Sequence, residues 1–191
     1  MSIYEPREDS FLLIKVLNKI FSQRQLLKKT NRLKICDMGS GSGIQAATIK
    51  KLGYKNILAV DINHEAITHL KKNKISALQS NLFSHKQLHN KKFDFIIFNP
   101  PYLPEDKREP EESKLQTTAG KKGYEIILKF LTEAKKHLSK KGKIILLSSS
   151  LSKPTVIKKH AKKLGYNLKL LDKQKLFFEE LFVYEITLEN K

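Results

Sequence analysis

Leu33-Lys34-Ile35-Cys36-Asp37-Met38-Gly39-Ser40-Gly41-Ser42-Gly43 is the stretch that decides the fold. An apolar run reaches an acidic residue and breaks into alternating glycines, and Ile44 to Leu52 then reads as a helix closed by Gly53. Strand, tight turn and helix in that order form the first unit of an α/β sheet. The glycines let the backbone turn sharply and let a ligand approach it closely. Two common uses of such a loop are excluded. A nicotinamide fingerprint needs a glycine where Ile44 stands, and no Gly-Lys-Ser/Thr follows to make a phosphate loop.

Outward from this unit the alternation continues. A first helix is expected from Glu8 through Phe11, Leu12, Val16 and Ile20. Strand one covers Leu33–Met38 and strand two Asn56–Ile62. Asn63 then caps a helix whose inner face is Ala66, Ile67 and Leu70. A weak third strand spans Ile75–Leu78, and Phe93–Phe98 is apolar enough for the sheet centre. Asn99 to Ala119 carries four prolines and no periodicity; a loop of that length is expected to serve function, and its part from Leu103 to Ala119 to order on substrate binding. Tyr124, Ile127, Leu128, Leu131, Ala134 and Leu138 recur at helical spacing. Gly142 is read as the turn into strand five, Lys143–Ser148; a helix over Thr155–Leu164 and strands at Asn167–Leu171 and Leu181–Leu188 complete the chain. The expectation is one α/β Rossmann-like domain over residues 1–191, with a helical segment over 1–30 packed on it. Its seven-stranded sheet is mostly parallel, with an antiparallel C-terminal strand.

Composition narrows the class. The 191 residues are 40% hydrophobic, with no apolar run long enough for a membrane span. The polar start is no signal peptide, and the single cysteine, Cys36, reads as packed core; these features point to the cytoplasm. The net charge of +18 suits a ribosomal or RNA contact, although the lysine pairs are spread along the whole chain. The histidines are scattered, with His85 and His89 an isolated pair, so no metal site is expected. Ser148-Ser149-Ser150 lacks the glycines of a nucleophile elbow.

Two constellations carry chemistry. Asp37 and the loop Gly39, Gly41 and Gly43 suit a cofactor without phosphates. The Asp37 carboxylate is placed to meet the ammonium of S-adenosylmethionine, and Asp61, ending strand two, to hold ribose hydroxyls. The second constellation is Asn99-Pro100-Pro101-Tyr102, directly after strand four. The prolines stiffen the turn and remove two backbone donors. The Asn99 oxygen and the Pro100 carbonyl remain as acceptors, which together suit an NH2 group, and Tyr102 offers a wall for a flat acceptor. Holding both N–H groups orients a delocalised nitrogen lone pair toward a methyl carbon.

These residues resemble the HemK/PrmC class of protein-(glutamine-N5) methyltransferases that modify peptide-chain release factors, over nearly the whole chain. Tyr4-Glu5-Pro6-Arg7-Glu8-Asp9-Ser10-Phe11-Leu12-Leu13 is similar to a segment of the archaeal and eukaryotic branch, and Ala119-Gly120-Lys121-Lys122-Gly123 resembles a stretch after its substrate loop. The resemblance implies a class I fold and S-adenosyl-L-methionine as cofactor. It implies cofactor contacts at Ser10, Asp37, Gly39, Asp61, Ile62, Asn81, Leu82 and Asn99, with Asn81 where an acidic residue is usual. Asn99 to Tyr102 would hold the glutamine of a Gly-Gly-Gln loop. The resemblance also implies a small zinc-binding activator as heterodimer partner. An amino-group methyltransferase acting on adenine N6 or guanine N2, and a protein-lysine methyltransferase, are the alternatives.

Overall fold

The structure is a computed structural model that describes residues 3–26, 32–105 and 117–189. Helix α1 (Glu8–Leu26) precedes β1 (Ile35–Met38), α2 (Ile44–Lys51), β2 (Ile57–Asp61), α3 (His64–Lys72), β3 (Ala77–Gln79) and β4 (Phe93–Phe98). Then follow α4 (Glu125–Ala134), β5 (Leu138–Ser149), α5 (Pro154–Lys163), β6 (Tyr166–Lys175) and β7 (Glu180–Leu188). The strands form one seven-stranded sheet in the order β3-β2-β1-β4-β5-β7-β6. All neighbours through β5 are parallel, and β7 runs antiparallel to both β5 and β6.

The period of two sorts the strand side chains onto two faces. Cys36, Met38, Ile96, Phe98, Ile144 and Leu146 pack with α4 and α5 through Ile127, Phe130, Leu131, Ile157 and Ala161. Ile35, Ile57, Ala59, Phe95, Ile97 and Ile145 pack with α1, α2 and α3 through Leu13, Leu17, Phe21, Ile49 and Leu70. Both faces are covered, which is why the central strands are apolar throughout. Cys36 is fully buried, as a packed thiol should be. Asn63 caps α3, its side-chain oxygen accepting from Glu65 N–H at 2.9 Å.

Several boundaries move. β1 opens at Ile35, and Leu33 packs beside the second cluster. β3 is Ala77–Gln79, with Ile75 buried beneath α3. Leu138 does not end the helix: α4 stops at Ala134, a 3-10 turn covers Lys135–His137, and Leu138 pairs with Phe93. Gly142 is no turn into a later strand. It sits inside β5 at a register shift, where an added Cβ would lie 2.8 Å from the Phe93 carbonyl. β6 and β7 are longer than their apolar runs, because the pairing continues to Lys175 and Glu180.

Candidate active site

The carboxyl ends of β1, β2 and β4 meet in a cavity of about 660 Å³, closed on one side by the segment ahead of α1. Open α/β sheets bind ligands at this edge, and the volume suits a small-molecule cofactor. Ser10, Gly39, Gly41, Asp61, Ile62, Asn81, Leu82, Asn99, Pro100, Pro101 and Tyr102 all line it.

Gly39 and Gly41 have φ of 61° and 51°, which favours glycine in this turn. A Cβ on Gly39 would press on the Phe98 ring at 3.2 Å, and one on Gly41 would touch the Tyr4 Cβ at 3.6 Å. Ser40 ties the loop to β2: its N–H donates to the Val60 carbonyl at 3.1 Å, and its hydroxyl accepts from Val60 N–H at 3.2 Å. Asp61 accepts from Gly41 N–H and Asn63 N–H, both at 2.8 Å, one on each oxygen. Each oxygen keeps a second lone pair for a ligand hydroxyl.

Asp37 and Gly43 stand behind the cavity lining rather than in it. Asp37 is 2% exposed, on the strand face opposite Cys36 and Met38, and accepts from Ala46 N–H in the first turn of α2 at 3.1 Å. Burial pushes its carboxyl up to about 7, and the Asp61 carboxylate adds to that, against the lowering effect of the Ala46 bond. Gly43 caps α2 at φ 78°, and a Cβ there would collide with Leu70 at 2.4 Å. Its constraint is packing against α3.

At the end of β4, the Asn99 amide NH2 donates to the Asp9 carboxylate at 3.0 Å and lies 3.5 Å from the Ser10 hydroxyl. A carboxylate only accepts, so the amide must present its nitrogen to Asp9. The Asn99 oxygen is thereby turned away; it is buried with no hydrogen-bond partner. A buried orphan acceptor costs about 1–3 kcal/mol, and one beside a cavity is explained by a donor that arrives with a ligand. Asp9 is itself fixed: Tyr4 O–H lies 2.9 Å from both of its oxygens, and Ser10 N–H donates to it at 2.6 Å. Sequence reasoning missed Asp9 and Tyr4 as parts of this site. The only local signal was an acidic pair in the first helical turn, which has an ordinary explanation in the helix dipole.

Tyr102 is half-buried, and its phenol stays neutral: burial raises its pKa first, and the Asp9 and Glu179 carboxylates raise it further. Glu179 lines the cavity and accepts from the Ser149 hydroxyl. Backbone bonds from Tyr102 N–H and Leu103 N–H to the Thr117 carbonyl, at 3.1 and 2.8 Å, join the two ends of the expected substrate loop. Residues 106–116 of that loop lie outside the described residues. Gly123, at φ 80°, admits the passing backbone, since a Cβ there would lie 2.9 Å from Pro104 N. Of the isolated histidine pair, His85 accepts from Gln87 N–H at 3.1 Å and His89 lies 3.3 Å from the Ser84 carbonyl, both local uses.

Among the described residues the lining holds five carboxylates (Glu8, Asp9, Asp61, Glu125 and Glu179) and two cations (Arg7 and Lys129). This excess suits a ligand bearing positive charge, and a sulfonium cofactor with an ammonium group is one.

A family profile, "Methyltransferase small domain", matches residues 23–169. The chain is 37% identical over 191 residues to a Methanocaldococcus jannaschii protein named "Putative protein N5-glutamine methyltransferase", covering 95% of this chain and 89% of that one. It spans less than half of the longer bacterial relatives it also matches. Among solved structures, the Mtq2-Trm112 complex of E. cuniculi, described as responsible for methylation of the eRF1 translation termination factor, aligns with a TM-score of 0.75 at 19% identity over 99% of this chain and 100% of that one. A Bacteroides fragilis S-adenosylmethionine-dependent methyltransferase in complex with S-adenosyl-L-homocysteine aligns at 0.60 and 14% identity over 100% of both chains. With the glycine loop, the β2 carboxylate and the Asn-Pro-Pro-Tyr turn gathered at one sheet edge, the chain belongs to the methyltransferase small domain family, whose members depend on S-adenosylmethionine.

Proposed function

We propose that this chain methylates the side-chain amide nitrogen of a glutamine, and that the glutamine lies in the Gly-Gly-Gln loop of a peptide-chain release factor. The observation that carries the reading is the unpartnered Asn99 oxygen, held in that orientation by Asp9. The names of relatives that act on glutamine and on a termination factor support the substrate.

When bound, S-adenosylmethionine supplies an electrophilic methyl group. Gly39 and Gly41 leave backbone bare for it, Asp61 has lone pairs for the ribose, and Ile62, Asn81 and Leu82, which also line the cavity, would give the adenine its walls and one acceptor. Asn99 accepts one amide proton of the acceptor and the Pro100 carbonyl the other. Both bonds strengthen as the nitrogen gains positive charge, which is the transition-state preference that catalysis needs. Pro100 and Pro101 keep the turn stiff, and neutral Tyr102 flanks the planar amide. No strong base is required beforehand, because the nitrogen becomes acidic only once it bears the methyl group.

The same reading takes residues 1–191 as one domain working in the cytoplasm, with the helical segment 1–30 packed on it; residues 1, 2 and 27–30 of that segment lie outside the described residues. It includes a small zinc-binding activator as partner, and ribosomal or RNA contact through basic surface. The carboxylate excess of the lining disfavours entry of a phosphodiester strand, and so disfavours nucleic acid amino groups as the acceptor.

The test is transfer of labelled methyl groups to release factor, to release factor with the loop glutamine changed to alanine, and to RNA, each with and without the activator. Labelling of the first alone is the expected result. Equal labelling of the glutamine-free factor overturns the reading.

A further inference from the structure

The hairpin joining β6 and β7 ends in Phe177 and Phe178, which are 92% and 85% exposed. No other large apolar side chain among the described residues exceeds 57%. Two adjacent phenylalanines in water are not explained by packing, and exposed apolar patches of this kind mark contact surfaces.

The tip is built to hold its shape. Leu176 N–H donates to the Glu179 carbonyl at 2.8 Å, closing the turn. Glu179 accepts from the Ser149 hydroxyl, and Glu180 N–H donates to the Ser150 hydroxyl at 3.0 Å, so both residues after the tip are tied to the end of β5. Lys173 and Glu180 bridge the two strands at 2.9 Å. The rings rest on each other edge to face, with centroids 4.6 Å apart and planes at 79°. Phenylalanine has only two side-chain torsions to fix, so such a pair on a tied turn loses little entropy on binding, which is the property of interface anchors.

Position and chemistry identify the occupant. Leu176 and Glu179, which flank the pair, both line the active-site cavity, so the phenylalanines stand on its rim. Whatever presents an acceptor side chain to Asn99 passes this rim. Consecutive nucleotide bases stack in parallel, and two rings at 79° cannot both serve as platforms for them. Within the cavity lining, five carboxylates face two cations, Arg7 and Lys129, an excess that repels phosphates entering past the hairpin. An aliphatic side chain fits the angle between perpendicular rings.

We infer that Phe177 and Phe178 form an anchor for the acceptor protein, gripping an aliphatic side chain of the segment that carries the methylated residue. The inference rests on the proposed protein-glutamine reading and adds to it the surface that recognises intact substrate.

The experiment compares wild type with the double variant Phe177→Ser, Phe178→Ser, and with Phe177→Leu, Phe178→Leu. Methyl transfer is measured to intact release factor and to a glutamine peptide too short to reach the rim, each with the activator present. Because both side chains are exposed, the serine variant should keep its melting temperature and its affinity for S-adenosylmethionine. The expected result is a KM for release factor raised about tenfold or more in the serine variant, with kcat and short-peptide kinetics little changed, and partial recovery in the leucine variant. An unchanged KM for release factor overturns the anchor while leaving the glutamine reading intact. A wild-type enzyme inactive on every protein substrate takes down both. A serine variant that loses the activator subunit, or that loses binding to a labelled RNA while its release-factor KM holds, overturns the anchor by assigning the rings another occupant.

Discussion

The two ends of the sheet contrast in how they use charge. At the carboxyl end, where the cavity opens, two carboxylates have defined partners: Asp9 holds Asn99, and Asp61 holds two backbone N–H groups. At the amino end, the adjacent parallel strands β1, β4 and β5 and the segments leading into them carry exposed Arg32, Lys34, Lys91, Lys92, Lys136, Lys140 and Lys141. Asp94 ties the three strands together there, accepting from Lys34 N–H at 2.9 Å and from the Ser139 hydroxyl at 2.7 Å. The lysine pairs look evenly spread in the sequence, but parallel pairing brings these together on the edge opposite the cavity. Charge at one end is positional, and at the other it is cumulative. Single substitutions should therefore matter at the cavity, and only grouped ones at the amino edge.

The strongest way to break the contrast is Asn99→Ala. Removing the orphan acceptor should lower kcat by about a thousandfold, while S-adenosylmethionine binding, followed by calorimetry, largely survives. Wild-type turnover would end the argument for a positional site.

Asp9→Asn should come next. An asparagine there can offer its own NH2, so Asn99 is free to flip and to present the wrong group. A fall in kcat of roughly 10–100-fold, with cofactor affinity unchanged, is expected from misorientation alone. A purely structural role for Asp9 would lower the melting temperature and leave kcat in place.

A pH test concerns Asp37, the carboxyl that sits behind the cavity. Its folded value near 7 lies above the ordinary 3.8, so between these values the folded chain holds a proton that the unfolded chain has lost. The stability it contributes is complete below the lower value and is lost as pH rises through the upper one. The melting temperature of ligand-free protein should therefore fall by a few degrees between about pH 5 and 8 relative to Asp37→Asn. The proposed placing of the cofactor ammonium beside this carboxyl predicts that binding releases a proton, visible as buffer-dependent heat in calorimetry. A binding heat independent of the buffer would detach Asp37 from the site.

The smallest effect belongs to the amino edge. Changing Lys91, Lys92, Lys140 and Lys141 together to glutamate should alter methyl transfer to a short peptide by less than about twofold, since these charges lie beyond a Debye length of ~10 Å from the chemistry. The salt slope of RNA binding should become shallower by about 0.7 for each phosphate that is no longer neutralised. A drop in peptide turnover like that of Asp9→Asn would show that charge at this end is positional too.

Much of this was legible in the sequence because local signals agreed. The strand-glycine-helix unit, the Asn63 cap and the apolar Phe93–Phe98 run each specify their own neighbourhood, and a parallel sheet follows from their alternation. The misreadings share a cause. Leu131, Ala134 and Leu138 keep helical spacing even though the last of them opens a strand, because pairing with Phe93 outweighs propensity. Gly142 has the look of a turn, but its role is a close approach inside β5, which only the neighbouring strand defines. The face that Asp37 takes follows from the same period: Cys36 and Met38 face one side of β1, so the residue between them faces the other. Asp9 was not readable, since its partner stands 90 positions away.

Tyr4 stands between two parts of the site. Its Cβ lies where only a side chain added at Gly41 would touch it, and its hydroxyl bonds Asp9, which sets Asn99. The glycine loop and the acceptor amide thus share one neighbour. By linkage, any preference of the cofactor for one placement of Tyr4 reappears as an equal preference in the affinity for the methyl acceptor. One order of loading can be favoured in this way, with the methyl acceptor bound best once the cofactor has arrived.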